Sequence, residues 1–593
     1  MTLTDFALPA AAALLLLAFF AALPDLRRCA LPAPARERFT AAEGIFLALV
    51  MLLYGAVAFY DLGNTDGPVS FERMEDKTAT LVLSGETAPA ELWLFPGVST
   101  GSYEIEASAD GARFDAVGSF EQNYVAVLKW ASVPLEDLPA GTRYLRLRCT
   151  SGAPFLGELA LKDADGALLD AVCDLPALCD ESAFVPARSD FRNSTYFDEI
   201  YHARTAWEHL HGVWPYEISH PPLGKEILSL GILLFGMTPF GWRFSGTLFG
   251  VLMLPVMYLL LRRLFGRRGV PALGTLVFAA DFMHFTQTRI ATIDTYAVFF
   301  ILLMYLFLWI WLEEEKPWAL ALCGLSFGLG AASKWTGLYA GLGLGVLWLL
   351  HWGAKYIAAR RDGTARALLP AFVKNVGFCL LVFVVLPGAI YYFSYLPYGT
   401  ALGVGPFTRR YLEAVLDNQR FMFTYHAGIV AEHPYSSRWY QWLLDIRPIL
   451  YYLEYFPDGT RSSICAFLNP LLCWGGFLSL FVLGYAAIAR ADRRAGFLLL
   501  GYLAQLLPWV FISRLTFAYH YFPSSVFLVL ALGYVFTLLR DNRRCGLWPA
   551  AVFAGLCVLL FALFYPVLSG EPYDPDATAL GSALRQWLPT WPI

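Results

Sequence analysis

The stretch "STYFDEIYHARTAWEHLHGVWPYEISHPPLGKE", residues 194–226, places five acids and four histidines with a lysine in a largely apolar chain. Asp198 and His202 are four residues apart, so on a helix they share one face, with Glu199 beside them. A carboxylate in that position can act as general base on a hydroxyl nucleophile. Two other readings stay open. Thr195 can be the N-cap of a helix whose first turn carries Asp198 and Glu199 because the dipole favours acids there. An Asp/His pair can also bind a divalent metal, although no third ligand follows at a defined spacing.

In "HPPLGKE" the two prolines after His220 fix an extended backbone, Gly224 frees the turn, and Lys225 stands at the head of an apolar helix. A cation there suits a lipid phosphate at the membrane surface, and snorkelling is the plainer alternative. Further along, "TRIATIDTYAVFF" carries Arg289 and Asp294, which read either as site residues or as a structural ion pair. Lys334 in "AASKWTG" is an anion ligand or a loop cap. His433, Arg438 and Arg447 lie in "EHPYSSRWYQWLLDIRPILYY", and Arg514 precedes "FAYHYFP" with His520, which also reads as an aromatic interface belt. Acids beside several cations suit a reaction that needs a base for its nucleophile and counter-charge for a phosphate leaving group.

The elements that must position these groups are mostly membrane helices. Of 593 residues, 57% are hydrophobic and only 15% charged, against about a quarter in soluble proteins. A net charge of -5 excludes a generally basic nucleic-acid binder. Apolar windows long enough to cross a bilayer fall near 5–24, 43–60, 242–262, 270–287, 293–312, 318–334, 336–352, 372–394, 464–489, 495–512, 517–539 and 547–568, about twelve spans. The short apolar stretch 226–236 reads as an interfacial or re-entrant helix. Basic clusters such as "LRRCALPAPARER", "RRLFGRR" and "RDNRR" fall in alternate loops, which the positive-inside rule assigns to the cytoplasm, leaving both termini outside. All of the residues singled out above then fall on the outer side.

The expected domains are two N-terminal helices (1–61), an extracytoplasmic β-sandwich (62–190), a membrane domain (191–568) with external loops 191–241 and 395–463, and an external tail (569–593). The β-sandwich rests on alternating stretches bounded by turn residues, namely "ATLVLSG", "ELWLFPG", "SYEIEAS", "YVAVLKW", "RYLRLRC" and "GELALKDADG". A jelly-roll carbohydrate-binding module and a plain spacer explain it equally well. Of the polar-segment cysteines Cys149, Cys173 and Cys179, "CDLPALC" predicts one small disulfide loop and leaves one free thiol.

In their order, "YFDEIYH", "HPPLGK", "GWRFSGTLFG", "TRIATIDTYAVFF", "ASKWTG", "HPYSSRWYQWLLDIRPILYY", "FLNPLL" and "FAYHYFP" resemble the protein O-mannosyltransferases and their bacterial relatives, over roughly residues 191–540. The resemblance implies a polytopic α-helical membrane protein of the C-type glycosyltransferase fold. It implies inverting transfer of a hexose, mannose first, from a polyprenyl-phosphate sugar to an acceptor hydroxyl of a protein or cell-envelope glycan at the outer face of a bacterial plasma membrane. Membrane lipid is the other partner; no cofactor is assigned, and a divalent metal stays open. Asp198 would be the general base with Glu199 beside it. Lys225, Arg289 and Arg447 would hold the phosphate, with Arg514, Lys334 and His520 as further candidates. His202, His220, Asp294, His433 and Arg438 would shape the cavity. The alternatives are an aminoarabinose-transferase-like lipid glycosylation and a transporter or flippase of lipid-linked sugars. A transporter calls for inverted repeats and mid-bilayer charges, and neither stands out.

Overall fold

A computed structural model of the chain describes residues 7–24, 26, 37–266, 269–428, 432–542, 546–575 and 585–592. Most of the first basic loop and segment 576–584 of the tail lie outside the described residues. The chain divides into two compact units, one of Met1–Tyr60, Ile218–Glu226 and Gly246–Ile593, the other of Asp61–Glu217 and Ile227–Ser245.

The larger unit begins with α1 (Ala7–Ala21) and α2 (Ala41–Phe59). The other unit holds ten strands: β1 (Glu72–Arg73), β2 (Thr78–Leu83), β3 (Glu91–Pro96), β4 (Gly101–Ser108), β5 (Asp115–Gln122), β6 (Ala131–Pro134), β7 (Tyr144–Gly152), β8 (Phe155–Lys162), β9 (Leu168–Leu169) and β10 (Ala171–Cys173). They form two antiparallel sheets, β1-β8-β3-β6 with β9 on β8, and β10-β2-β7-β4-β5. The period of two decides what each face does. On β7, Leu145 and Leu147 enter a core shared with Leu81, Leu94, Ile105 and Leu159. Between them Arg146 and Arg148 face outward, paired in register with Glu106 and Glu104 of β4.

Two local expectations fail here. "YVAVLKW" alternates like a strand, yet 124–128 form a turn, because Asn123 Oδ1 accepts the Val125 and Ala126 N–H groups and Leu128 adopts a positive φ of 57°. The cysteines Cys149, Cys173 and Cys179 are all free thiols, so the expected small disulfide loop is not closed.

After the sandwich come α3 (Glu199–Leu210), α4 (Leu223–Phe235), α5 (Pro239–Phe265), α6 (Gly269–Ala279), α7 (Phe282–Arg289), α8 (Asp294–Glu314), α9 (Pro317–Ser333) and α10 (Thr336–Arg361). Then follow α11 (Ala365–Leu380), a π-turn at Leu381–Val385, α12 (Leu386–Phe393), α13 (Leu396–Leu402), α14 (Arg409–Gly428) and α15 (Trp439–Trp442). A hairpin of β11 (Ile449–Tyr455) and β12 (Arg461–Ala466) precedes α16 (Pro470–Arg490), α17 (Arg493–Val510), α18 (Phe522–Asp541) and α19 (Trp548–Ser569).

Among the described residues, eight helices are long and apolar enough to cross a membrane, and the apolar helices Leu8–Ala21, Gly269–Ala279 and Pro317–Ser333 are shorter. The protein is a multi-pass membrane protein. The window 270–287 is not one helix: Asp281 breaks it after α6, accepting the His284 N–H at 3.1 Å as N-cap of α7. The other Asp281 oxygen accepts Asn469 N–H, while Asn469 Nδ2 donates to Ala280 O and Cys557 O. That network accounts for the asparagine of "FLNPLL". α4, with 13 residues, is about 20 Å long, short of the roughly 30 Å hydrocarbon layer.

Candidate active site

Within the smaller unit, the chain leaving the sandwich is held down just before Asp198. Thr195 N–H donates to Leu128 O at 3.0 Å, Thr195 Oγ1 to Val127 O at 2.9 Å, and Trp130 N–H to Ser194 Oγ at 3.1 Å. Thr195 is therefore a tether to the 124–128 turn and not the cap of α3. Asp198 itself occupies the N-cap position with αR backbone and no side-chain cap bond, and Phe197 before it is left-handed at φ 48°. Such a conformation is costly for an aromatic residue and is held by its surroundings. It sets a half-buried carboxylate at the start of a helix.

Glu199 differs entirely from its neighbour. It is fully buried and receives a fork from Arg243, Nε to Oε1 and Nη2 to Oε2, both at 2.7 Å. Trp242 Nε1 and Tyr196 N–H add donors to Oε2 at 3.3 and 3.2 Å. Arg243 also donates to Leu62 O, Phe191 O and Ser194 O at 2.8, 2.6 and 3.0 Å. One guanidinium thus clamps the chain on both sides of the sandwich and the acid next to Asp198. The sequence reading placed Glu199 beside the catalytic acid and passed over Arg243. The available signal was an arginine inside a long apolar helix.

His202 is buried one turn after Asp198. Among the described residues, the Asp198/His202 pair gathers no third His, Cys, Asp or Glu ligand. Tyr201 of α3 stacks between Tyr124 and Tyr216 at ring distances of 6.4 Å, tilted 15° and 4°. The Arg204 guanidinium lies 3.9 Å above Tyr216. Lys129, one residue past the turn that holds Tyr124, has its pKa lowered by burial against an opposing pull from Glu199.

In the larger unit, "HPPLGK" meets the start of α8. Gly224 is needed for close approach rather than for a turn, since a Cβ there would fall 2.8 Å from Ile293 Cβ and 3.3 Å from Ser333 O. Lys225 is fully buried and donates to His220 O at 3.3 Å. Next to those two contact points, Lys334 Nζ bonds both oxygens of Asp294 at 2.8 Å. Asp294 thus pairs with Lys334, 40 residues away in sequence, and not with the nearby Arg289.

Arg289, expected as a phosphate ligand, is held by backbone carbonyls. It is 5% exposed and donates to Ala58 O, Tyr60 O and Ser569 O at 3.1, 2.9 and 3.3 Å, tying the ends of α2 and α19.

Two cavities collect the remaining cations. One, of about 310 Å³, is lined by His220, Lys334, His426 and Arg514 among aromatic side chains. His426, missed from sequence, bonds Ser219 O through Nε2 at 2.8 Å and meets the His220 ring edge-on. Burial and then the charges of His220 and Arg514 push His426 down to about 4, so it stays neutral near pH 7. The other cavity, of about 650 Å³, is lined by His433, Arg438, Arg447 and again Arg514. His520 is buried, stacked on Tyr519 at 4.4 Å, with Nδ1 turned to the Phe517 backbone. It lines neither cavity.

Comparison with known proteins bears on the family of the chain. Residues 234–398 match the family model of dolichyl-phosphate-mannose-protein mannosyltransferase, and residues 411–591 match that of the C-terminal four-transmembrane region of protein-O-mannosyltransferase. Together the two models span more than half the chain. The polyprenol-phosphate-mannose--protein mannosyltransferases of Mycolicibacterium smegmatis and Mycobacterium tuberculosis are 28% and 27% identical to it. Each aligned region covers 67% of this chain, and 87% and 86% of those relatives. The Saccharomyces cerevisiae protein O-mannosyltransferase Pmt1-Pmt2 complex bound to its sugar donor shares the fold, with a TM-score of 0.58 at 14% identity, over 67% of this chain and 89% of that one. The sequence motifs, the helical architecture and both family models agree that this chain belongs to the protein O-mannosyltransferase family.

Proposed function

We propose that the protein is an inverting mannosyltransferase. It moves mannose from a polyprenyl-phosphate donor to a hydroxyl of an acceptor protein at the outer face of a bacterial plasma membrane. The observation that carries this reading is Asp198, a half-buried carboxylate set at the start of α3 beside Glu199, which Arg243, Trp242 and Tyr196 hold in place. The names of the mycobacterial relatives supply donor and acceptor class.

Asp198 takes the proton of the acceptor hydroxyl as its oxygen bonds the anomeric carbon. The bond from that carbon to the phosphate oxygen breaks, and the electron pair leaves with the phosphate. In the larger unit, Lys334 and Arg514 are the cations that suit a departing phosphate, with His220 and neutral His426 as hydrogen-bonding groups in the same cavity. Arg438 and Arg447 line the wider cavity together with Arg514, and add positive charge for the donor's one phosphate. Glu199 and Arg243 are positioning residues that fix the start of α3. The stacked row Tyr124, Tyr201 and Tyr216 offers the acceptor chain an aromatic surface one turn on from Asp198.

The test is transfer of radiolabelled mannose from polyprenyl-phosphate mannose to an acceptor peptide by the purified protein. Asp198→Asn is expected to lower the rate by about 10²–10⁴-fold while the melting temperature holds. Undiminished transfer by that variant removes Asp198 from the mechanism.

A further inference from the structure

The sandwich carries a second cluster of acids that the transfer reaction does not use. One carboxylate oxygen from each of Glu158, Asp180 and Glu181 lies within 4.8 Å of the other two. Glu158, on β8, is 0% exposed. Its Oε2 accepts the Glu181 N–H at 3.1 Å, and its Oε1 is buried with no hydrogen-bond partner. A buried carboxylate oxygen without a donor is costly, and two further acids nearby make it more so. No lysine or arginine pairs with Glu158 among the described residues.

The Glu181 carboxylate reaches back across 112 residues to the chain entering the sandwich. It accepts Val69 N–H at 3.2 Å and Ser70 Oγ at 3.1 Å. The cluster therefore joins the first segment of the domain, its β8 core strand and the segment that leads on towards Asp198.

We propose that Glu158, Asp180 and Glu181 hold one calcium ion, which pins the two chain ends of the sandwich together. An all-carboxylate ligand set selects a hard cation over zinc or copper. The partnerless Glu158 oxygen supplies a buried ligand, and exposed Asp180 leaves the outer side open for water to complete six to eight oxygens. Affinity in the range of extracellular modules follows, with Kd on the order of 10⁻⁴–10⁻³ M.

The test uses the full chain in detergent and needs no transferase activity. Equilibrium dialysis is expected to find one calcium per chain. Saturating calcium is expected to raise the melting temperature by about 2–4 °C over protein in chelator. Glu158→Gln should abolish both effects. Asp180→Asn changes an exposed side chain, so it should fold, and it should weaken binding at least about tenfold. Absence of a calcium-dependent shift in the unmodified protein overturns the site. Unchanged calcium binding by Asp180→Asn overturns it as well. An equal shift with magnesium at the same concentration overturns the assignment to calcium.

Discussion

Arg243 and Arg289 are 1% and 5% exposed, with their donors turned to a carboxylate and to backbone carbonyls, whereas Arg438, Arg447 and Arg514 line a cavity of about 650 Å³. All five carry the same planar fork. In the first pair the fork closes distant pieces of chain; in the others it faces space where an anion can enter. The difference lies in what the fork meets. A guanidinium whose hydrogens are already taken by buried oxygen atoms has little left for a phosphate, and removing it strands those oxygens.

The largest expected effect breaks the first half of that comparison. Arg243→Ala leaves the Glu199 carboxylate buried without its partner, which costs about 3–5 kcal/mol. The variant should melt far below the parent protein and lose activity through the loss of folded chain. Arg289→Ala strands carbonyls at Ala58, Tyr60 and Ser569, each worth roughly 1–3 kcal/mol when unsatisfied and less where water reaches it. Its melting temperature should fall, while the surviving enzyme keeps the parental KM for donor. A raised donor KM at unchanged stability would return Arg289 to the phosphate site.

Arg514→Gln tests the other half. Loss of one charge-assisted contact to phosphate, about 1.5–3 kcal/mol, should raise the donor KM by roughly 10- to 100-fold, with little change in melting temperature. A large drop in stability at unchanged KM would move Arg514 into the same class as Arg289. The smallest effect concerns His426. Its folded pKa, near 4, lies below the ordinary value of 6.5, so the unfolded chain binds the extra proton between those two pH values. Stability therefore falls as pH drops from about 6.5 towards 4. His426→Gln should flatten part of that fall in melting temperature, and an unchanged pH profile would show that the histidine is not held neutral.

Much of the fold is legible along the chain. "RYLRLRC" puts leucines on one face and arginines on the other, and β7 does the same. The short apolar stretch 226–236, read as an interfacial or re-entrant helix, is helical in α4, with 13 residues. "YVAVLKW" misleads because its alternation resembles a strand while Asn123, one residue earlier, bends the backbone into a turn. The window 270–287 misleads in the same way, since hydropathy does not register that Asp281 ends one helix and caps the next.

The candidate site is legible in its residue types and less so in their partners. Asp198, Lys334 and Arg514 stand out as ionisable groups in an apolar chain. Nothing in the chain order says that Glu199 meets Arg243, 44 residues on, or that Asp294 passes over Arg289 to take Lys334. Gly224 looks like a turn residue in "HPPLGK" and proves to be the spot where Ile293 packs against α4. The sequence by itself determined the membrane class, the strand alternation, the order of the motifs and the reservoir of charged groups, because these depend on local composition and period. Only the tertiary structure decided which charges are already satisfied and which face a cavity. That choice follows from which polar atoms meet when segments distant in sequence are buried together, and burial makes each such meeting worth a hydrogen bond or the full cost of lacking one.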